Sequence, residues 1–216
     1  MKEGLTEIVC VLDRSGSMGS LKADTISKFN EFIQGQRSVP GEALISVVLF
    51  DDRFETLHAS VPIAKLPDLT DEEYFVRGLT RLNDALGKTI NEVGDRLNQM
   101  PEEERPEKVI FMVITDGDEN DSKEFPGEEG RKKIKATVEH QTEKYGWGFL
   151  FLGANIDAIQ TGQGYGVNIN MCANFGHTSK GLGSAYTASG SRVRSMRCTP
   201  AANYVSLHNL DDDTEK

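Results

Sequence analysis

The sequence predicts an α/β fold with a mostly parallel sheet, because short apolar segments alternate with helical segments along the whole chain. The run 109–115 (VIFMVIT) has no polar alternation, which is typical of a central parallel strand covered on both faces. Residues 82–100 carry leucine, isoleucine and valine at helical spacing. No internal repeat or change of composition divides the chain, so we expect one domain over residues 1–200 and an acidic tail at 201–216.

The first half of the chain supplies two buried strands, an edge strand and two helices. Residues 7–12 (EIVCVL) and 44–50 (LISVVLF) are apolar and rich in β-branched residues, which predicts buried strands. Residues 53–58 (RFETLH) alternate in polarity and can pair with the second strand as an antiparallel edge strand. Apolar residues at helical spacing predict helices at 21–34 and 82–100.

The second half continues the alternation with segments that are richer in glycine. After the strand at 109–115, the charged segment 130–145 predicts a surface helix, and 147–152 (WGFLFL) predicts a further central strand. The remaining expectations are a short helix at 155–164, a weak edge strand at 167–171 and a helix at 180–197.

The composition argues against several classes of function. Lys and Arg number 24 and Asp and Glu 34, and the resulting net charge of −10 disfavours a nucleic-acid or anionic-membrane partner. No apolar run is long enough to cross a bilayer, and the N-terminal run is shorter than the core of a signal peptide. Cys10, Cys172 and Cys198 are far apart and form no zinc motif, so we expect a reducing, cytoplasmic location.

Three predicted loops at one edge of the sheet carry oxygen-donor side chains. The first predicted strand is followed by Asp13, Ser15 and Ser17. Thr80 lies just before the helix predicted at 82–100, and Asp116 follows the strand predicted at 109–115. Ligands of open parallel sheets bind beyond the carboxyl ends of the strands. Carboxylate and hydroxyl oxygens, with no thiolate or imidazole nearby, suit a hard cation. The sequence therefore predicts a site for one divalent cation, with Mg²⁺ preferred, Mn²⁺ suitable and Ca²⁺ less suitable.

The spacing Asp-x-Ser-x-Ser has a physical consequence. Alternate residues that leave a strand can point to one side, and Gly16 allows the loop to turn tightly. Each motif taken alone has a simpler interpretation, because serine or Thr80 can cap a helix and Asp116-Gly117 can form a turn. The combination of three loops favours the metal site. The histidines are scattered and are assigned no chemistry; they are His58, His140, His177 and His208.

The three motifs resemble the von Willebrand factor type A domain family and its metal-ion-dependent adhesion site. They stand here as Asp13-Arg14-Ser15-Gly16-Ser17, a Gly-x-Thr segment ending at Thr80, and Ile-Thr-Asp-Gly around Asp116, in the order that the family has. The residues in and around these motifs are most similar to those of bacterial and bacteriophage members of the family. The resemblance implies a Rossmann-like, three-layer sandwich with one antiparallel edge strand and with helices on both faces of the sheet.

The resemblance also implies roles for the five site residues. Ser15 and Ser17 bind the metal directly, Thr80 binds it when a partner is engaged, and Asp13 and Asp116 act directly or through water. A Glu or Asp of a partner protein fills the open coordination position. Acidic side chains near the rim of the metal site would repel such a ligand unless arginine side chains offset their negative charge. The acidic residues are Asp51, Asp52, Asp118 and Glu119, and the candidate arginines are Arg14, Arg53 and Arg81.

Three functions follow from these residues. The first is a non-enzymatic, metal-dependent protein-binding module, because no nucleophile and base are paired near the motifs. The second is a Mg²⁺-dependent phosphohydrolase of the haloacid-dehalogenase type with Asp13 as nucleophile, although Ser15 stands where that chemistry needs a second acid. The third is a structural or assembly domain that binds its partners away from the metal.

Overall fold

A computed structural model describes residues 1–200, and in them six strands form one sheet. The strands are β1 (Lys2–Asp13), β2 (Ala43–Phe50), β3 (Phe54–Pro62), β4 (Pro106–Thr115), β5 (Gly148–Gly153) and β6 (Cys172–Asn174). They lie in the order β3-β2-β1-β4-β5-β6. The edge strand β3 runs antiparallel to β2, and the other neighbouring strands are parallel. The predicted α/β fold with one antiparallel edge strand is confirmed.

The α-helices surround this sheet as two pairs and one short segment. Within the described part of the chain they are α1 (Lys22–Arg37), α2 (Leu82–Gln99), α3 (Gly127–Tyr145), α4 (Ala158–Gly164) and α5 (Ser179–Cys198). Helix α1 packs against α5, and α2 packs against α3. Short 3-10 helices lie at Gly16–Leu21, Ile63–Lys65, Glu102–Glu104 and Ile169–Met171.

The core is centred on β1 and β4, whose side chains are buried on both faces of the sheet. Ile8, Val9, Cys10 and Val11 are each 0% exposed. Successive residues of a strand point to opposite faces, so this continuous burial requires cover on both sides. The lack of polar alternation in these runs therefore reflects a central strand, as predicted.

Strand β1 begins at Lys2, earlier than the predicted start at residue 7. Lys2 pairs with Pro106 at the start of β4, and a register shift separates that pair from the pairing that resumes at Thr6. Gly4 lies in this irregular segment with a φ of 72°. Residues 2–4 of the extension are exposed and carry no hydrophobic side chain, so hydrophobic patterning does not detect them, whereas Leu5 and Thr6 are already buried.

The edge strand predicted at 167–171 is wrong in position. Ile169–Met171 form a 3-10 turn, and β6 starts only at Cys172, where it pairs with Phe151 of β5. The Asn168 side chain accepts a hydrogen bond from the Asn170 backbone N–H and caps this turn. Local side-chain capping thus displaces the strand by competing with the sheet for the backbone.

No helix of residues 1–200 has the length and apolar character needed to cross a membrane. The predicted acidic tail at 201–216 lies outside the described residues. The domain boundary at residue 200 therefore stays a prediction.

Candidate metal centre

The register of β1 and β4 brings the first and third motifs together. The two strands are parallel neighbours, and Leu12 pairs with Ile114, so Asp13 and Thr115 end the strands side by side. The Thr115 hydroxyl donates to Oδ2 of Asp13 at 2.6 Å, and the Ser15 backbone N–H donates to Oδ1 at 2.7 Å. Asp13 is only 1% exposed. Both of its carboxylate oxygens are therefore held in place by this chain.

The two serines and Asp116 form a continuous row of oxygen atoms. The Oγ atoms of Ser15 and Ser17 are 3.1 Å apart, and Ser17 Oγ donates to Oδ1 of Asp116 at 2.5 Å. Oxygens at adjacent corners of a Mg²⁺ octahedron lie about 2.9 Å apart, because each bond is about 2.0–2.1 Å long. A serine that donates its proton to a carboxylate keeps lone pairs that can face a cation. The spacing and chemistry of this row fit a hard divalent ion.

Thr80 borders the same space. A Cβ atom built on Gly117 would lie 3.4 Å from Thr80 Oγ1 and 3.7 Å from Ser17 Oγ, so glycine leaves a small gap beside the two hydroxyls. Thr80 is 3% exposed. It does not cap α2, because Arg81 is the N-cap residue and no side chain makes the capping hydrogen bond. Thr80 is therefore not a helix cap, and that simpler interpretation is wrong.

Asn120 fixes the backbone of Thr80. The Thr80 N–H donates to Asn120 Oδ1 at 3.0 Å, and the Asn120 N–H donates to the Thr80 carbonyl at 3.0 Å. This double contact joins the loop before α2 to the loop that follows Asp116. The sequence of the loop leaves two interpretations of Asn120 open, a support of the site or a solvated loop residue, and these two hydrogen bonds favour the first.

The loop after Asp116 is also anchored to the first turn of α2. The Asp84 carboxylate accepts the backbone N–H groups of residues 123–125 at 2.8–2.9 Å. Glu119 accepts the backbone N–H of Asn83 at 2.7 Å. Hydrogen bonds from backbone N–H groups to a carboxylate are stronger than those between neutral groups, so they fix the course of the loop. The start of α2, which follows Thr80, and the loop that follows Asp116 are thereby joined by hydrogen bonds.

Several acidic groups of the rim are paired with arginine. Arg14 donates to Asp51 at 2.8 Å, and the side chains of both residues are 0% exposed. Arg77 also contacts Asp51, at 2.9 Å, and Arg81 pairs with Asp121 at 2.8 Å. Arg14 thus offsets the charge of Asp51, and Arg81 offsets that of Asp121, which is not one of the four acidic residues named from the sequence. Arg53 contacts Asp51 through its backbone N–H and not through its guanidinium.

Burial raises the pKa of Asp13 from 3.8 to about 6, the hydrogen bonds from Thr115 and Ser15 lower it, and the nearby Asp116 charge raises it further. Burial therefore disfavours the charged form of Asp13 relative to that of an exposed aspartate. A cation beside the carboxylate would favour the charged form, which is a property expected of a metal ligand.

We expect Asp13 to make the protein less stable as the pH rises from about 4 to 6 in the presence of a chelator. Its pKa is higher in the folded state, so its stabilising contribution is complete below pH 3.8 and disappears as the pH rises to about 6. Urea unfolding at several pH values, compared between the native protein and Asp13→Asn, should show a difference that changes by roughly 2–3 kcal/mol over this range. Parallel pH profiles of the two proteins would contradict this assignment.

One histidine lies at the site, contrary to the expectation that none does. Nε2 of His177 is 2.7 Å from Oδ2 of Asp116. His177 belongs to the loop between β6 and α5, far from the three motifs along the chain. No motif signals its position, because the loop reaches this edge of the sheet only through the parallel pairing of β6 with β5.

The donor set depends on hydroxyl groups. Within residues 1–200, no three His, Cys, Asp or Glu side chains lie close enough to hold a metal among themselves. A cation at this site would therefore need Ser15, Ser17 or Thr80 in addition to the carboxylates. Such oxygen ligands with two formal negative charges favour Mg²⁺ or Mn²⁺ over soft metals.

Comparison with known proteins finds one family. The family model of the von Willebrand factor type A domain matches residues 7–158. The bovine inter-alpha-trypsin inhibitor heavy chain H3 is 26% identical over 180 residues, which covers 81% of this chain and 18% of that protein. The chain thus spans less than a fifth of the length of this relative.

Two solved structures with the same fold carry metal ions. The manganese-loaded TRAP protein of Plasmodium vivax is 15% identical and has a TM-score of 0.54, over 85% of this chain and 72% of that chain. Proximal thread matrix protein 1 of the mussel byssus, with a zinc-occupied metal-ion-dependent adhesion site, is 17% identical and has a TM-score of 0.55, over 88% and 46% of the two chains. At these identities the likeness establishes the fold.

Proposed function

The chain belongs to the von Willebrand factor type A domain family, and from this membership and its site geometry we propose that it is a metal-dependent protein-binding module. It holds one Mg²⁺ or Mn²⁺ with the five residues Asp13, Ser15, Ser17, Thr80 and Asp116. The observation that carries this proposal is the row of close oxygen contacts from Ser15 through Ser17 to Asp116. Metal-loaded structures of the same fold support a divalent ion.

The partner's ligand is proposed to be a carboxylate. The two negative charges of Asp13 and Asp116 equal the charge of a divalent ion, and the hydroxyl ligands are neutral, so the occupied site has no excess of negative charge. The bound cation therefore keeps its attraction for a further anionic oxygen, such as that of Glu or Asp in another protein. The pairing of Arg14 and Arg81 with rim carboxylates supports this approach, because it reduces the repulsion that an acidic side chain would meet.

We propose a binding function without catalysis. Both carboxylate oxygens of Asp13 accept hydrogen bonds from Thr115 and Ser15, and the residue is buried, which does not suit a nucleophile that must reach a phosphoester. Ser15 occupies the position of the second acid that a phosphohydrolase would need, and its hydroxyl contacts Ser17 instead. The net charge of −10 supports a protein partner over nucleic acid or an anionic membrane.

A cytoplasmic location is part of the proposal. All three cysteines lie within the described residues and are free thiols, and burial raises the pKa values of the Cys10 and Cys172 thiols. Unpaired cysteines are typical of proteins in a reducing compartment.

Thr80→Ala is expected to reduce the capture of the partner from a lysate of the source organism by about tenfold or more in Mg²⁺, since one lost ligand contact of ~1.4 kcal/mol has that effect. EDTA should give the same loss for the native protein. Thr187→Ala is the matched control, because Thr187 is an exposed threonine of α5. Affinity capture with quantitative mass spectrometry, for each protein in Mg²⁺ and in EDTA, measures the effect.

A protein that is retained equally in all conditions would show that binding does not use the ion, and the third function, assembly through another surface, would then replace this proposal. Hydrolysis of a generic phosphoester that Asp13→Asn abolishes would instead support the phosphohydrolase.

A further inference from the structure

His177 occupies the outer side of the Asp116 carboxylate. Oδ1 of Asp116 accepts the hydroxyl of Ser17, and Oδ2 lies 2.7 Å from Nε2 of His177. The Asp116 side chain is 0% exposed, whereas that of His177 is 23% exposed. The two oxygens of the Asp116 carboxylate therefore have different partners. Oδ1 contacts the Ser17 hydroxyl, and Oδ2 contacts the His177 imidazole.

The backbone on both sides of His177 is fixed. Before it, the Phe175 N–H donates to the carbonyl of Gly153 at the end of β5 at 2.9 Å. After it, the Thr178 hydroxyl accepts the Gly181 N–H at 3.0 Å and caps α5. The Thr178 N–H in turn donates to the Gly176 carbonyl at 2.7 Å. The loop thus presents the imidazole from a defined position between a strand and a capped helix.

The chemistry of this contact sets the tautomer. A carboxylate that binds a cation is ionised and can only accept hydrogen bonds, so Nε2 of His177 carries the proton and donates it to Oδ2. Hydrogen bonds from surrounding residues orient the side chains that ligate a metal, and loss of such a partner commonly costs about 10–100-fold in metal affinity. Asp116 is half of the negative charge of the proposed donor set, so its orientation matters strongly.

We propose that His177 is a positioning residue of the metal centre, which holds Asp116 so that Oδ1 faces the cation and Ser17. This inference rests on the proposed metal-binding function. His177 lies beyond residues 7–158, the part of the chain that matches the family model, so family membership does not assign this role. His177 is not proposed as a ligand, since its Nε2 contacts Oδ2 of Asp116, and the other oxygen of that carboxylate, Oδ1, is the one that contacts Ser17.

Titration of the purified chain with Mn²⁺, followed by electron paramagnetic resonance, tests the proposal. His177→Ala should raise the dissociation constant by about 10–100-fold. His177→Gln should restore binding to within about threefold of the native value, because its side-chain amide can donate to Asp116. His140→Ala is the matched control, since it removes an exposed imidazole from α3, and it should bind Mn²⁺ like the native protein.

Unfolding in EDTA separates positioning from a purely structural role. His177→Ala and His177→Gln should differ in Mn²⁺ affinity while their free energies of unfolding in EDTA stay similar. Native affinity in His177→Ala, or an equal loss of affinity in both variants, would overturn the role of His177. A native protein that binds neither Mn²⁺ nor Mg²⁺ would overturn the proposed function itself, which is a distinguishable result.

Discussion

Replacing Asp116 with alanine is expected to abolish the thermal stabilisation that Mg²⁺ or Mn²⁺ gives to the native protein. At a free metal concentration of about 100 times the dissociation constant, binding to the folded state alone contributes about 2.7 kcal/mol. For a chain of this length, that corresponds to a rise in melting temperature of roughly 5–10 °C. The variant loses one of two carboxylates and the acceptor of the Ser17 hydroxyl, so this rise should disappear.

Asp118→Ala is the matched control for this experiment. Asp118 is an exposed carboxylate two residues further along the same loop, so its replacement removes the same charge from the same neighbourhood. Melting temperatures measured by calorimetry in Mg²⁺ and in EDTA should show a metal-dependent rise in the native protein and in Asp118→Ala. If Asp116→Ala gains as much stability from Mg²⁺ as Asp118→Ala does, the assignment of the site is wrong.

Replacing Asp51 with asparagine is expected to give the largest loss of stability. The Arg14–Asp51 pair is fully buried, and Arg14 then keeps its charge without its main partner. Removal of one member of a buried ion pair costs about 3–5 kcal/mol, because the remaining charge is left without compensation in the interior. Chemical unfolding should show this loss, and the melting temperature should fall by roughly 6–20 °C.

Glu55→Gln provides the comparison, because Glu55 contacts the same Arg14 at 2.7 Å but its side chain is 47% exposed. Its replacement should cost about 1 kcal/mol or less, since solvent screens the pair. Equal losses in the two variants would contradict the argument from burial.

The buried strands and the long helices could be predicted because their signals are local. The run at residues 109–115 has no polar alternation, and it is a central strand flanked by β1 and β5. The helix predicted at 82–100 is α2 (Leu82–Gln99). Burial on both faces removes polar alternation from the strand, and burial of one face imposes helical spacing on the apolar residues of α2. Where hydrogen bonding and not burial forms the element, as at β6, the prediction was misplaced.

The five candidate ligands each stand in a short motif that the sequence shows by itself, and their assignment to a metal stays a prediction. The contact of His177 could not be predicted. His177 acts on a site residue that is distant in sequence, through a hydrogen bond whose partner no local pattern reveals. The role of Asp84 as an anchor for residues 123–125 has the same cause.

The amino-acid sequence by itself determined the fold class, the three oxygen-bearing loops and the class of cation they suit, because strand burial, turn chemistry and donor type are local properties. The tertiary structure alone decided how these loops are held. The parallel register of β1 and β4 sets Asp13 beside Thr115, and the loop before α5 brings His177 to Asp116. These contacts depend on distances between segments that are far apart along the chain, which arise only when the sheet and its helices pack.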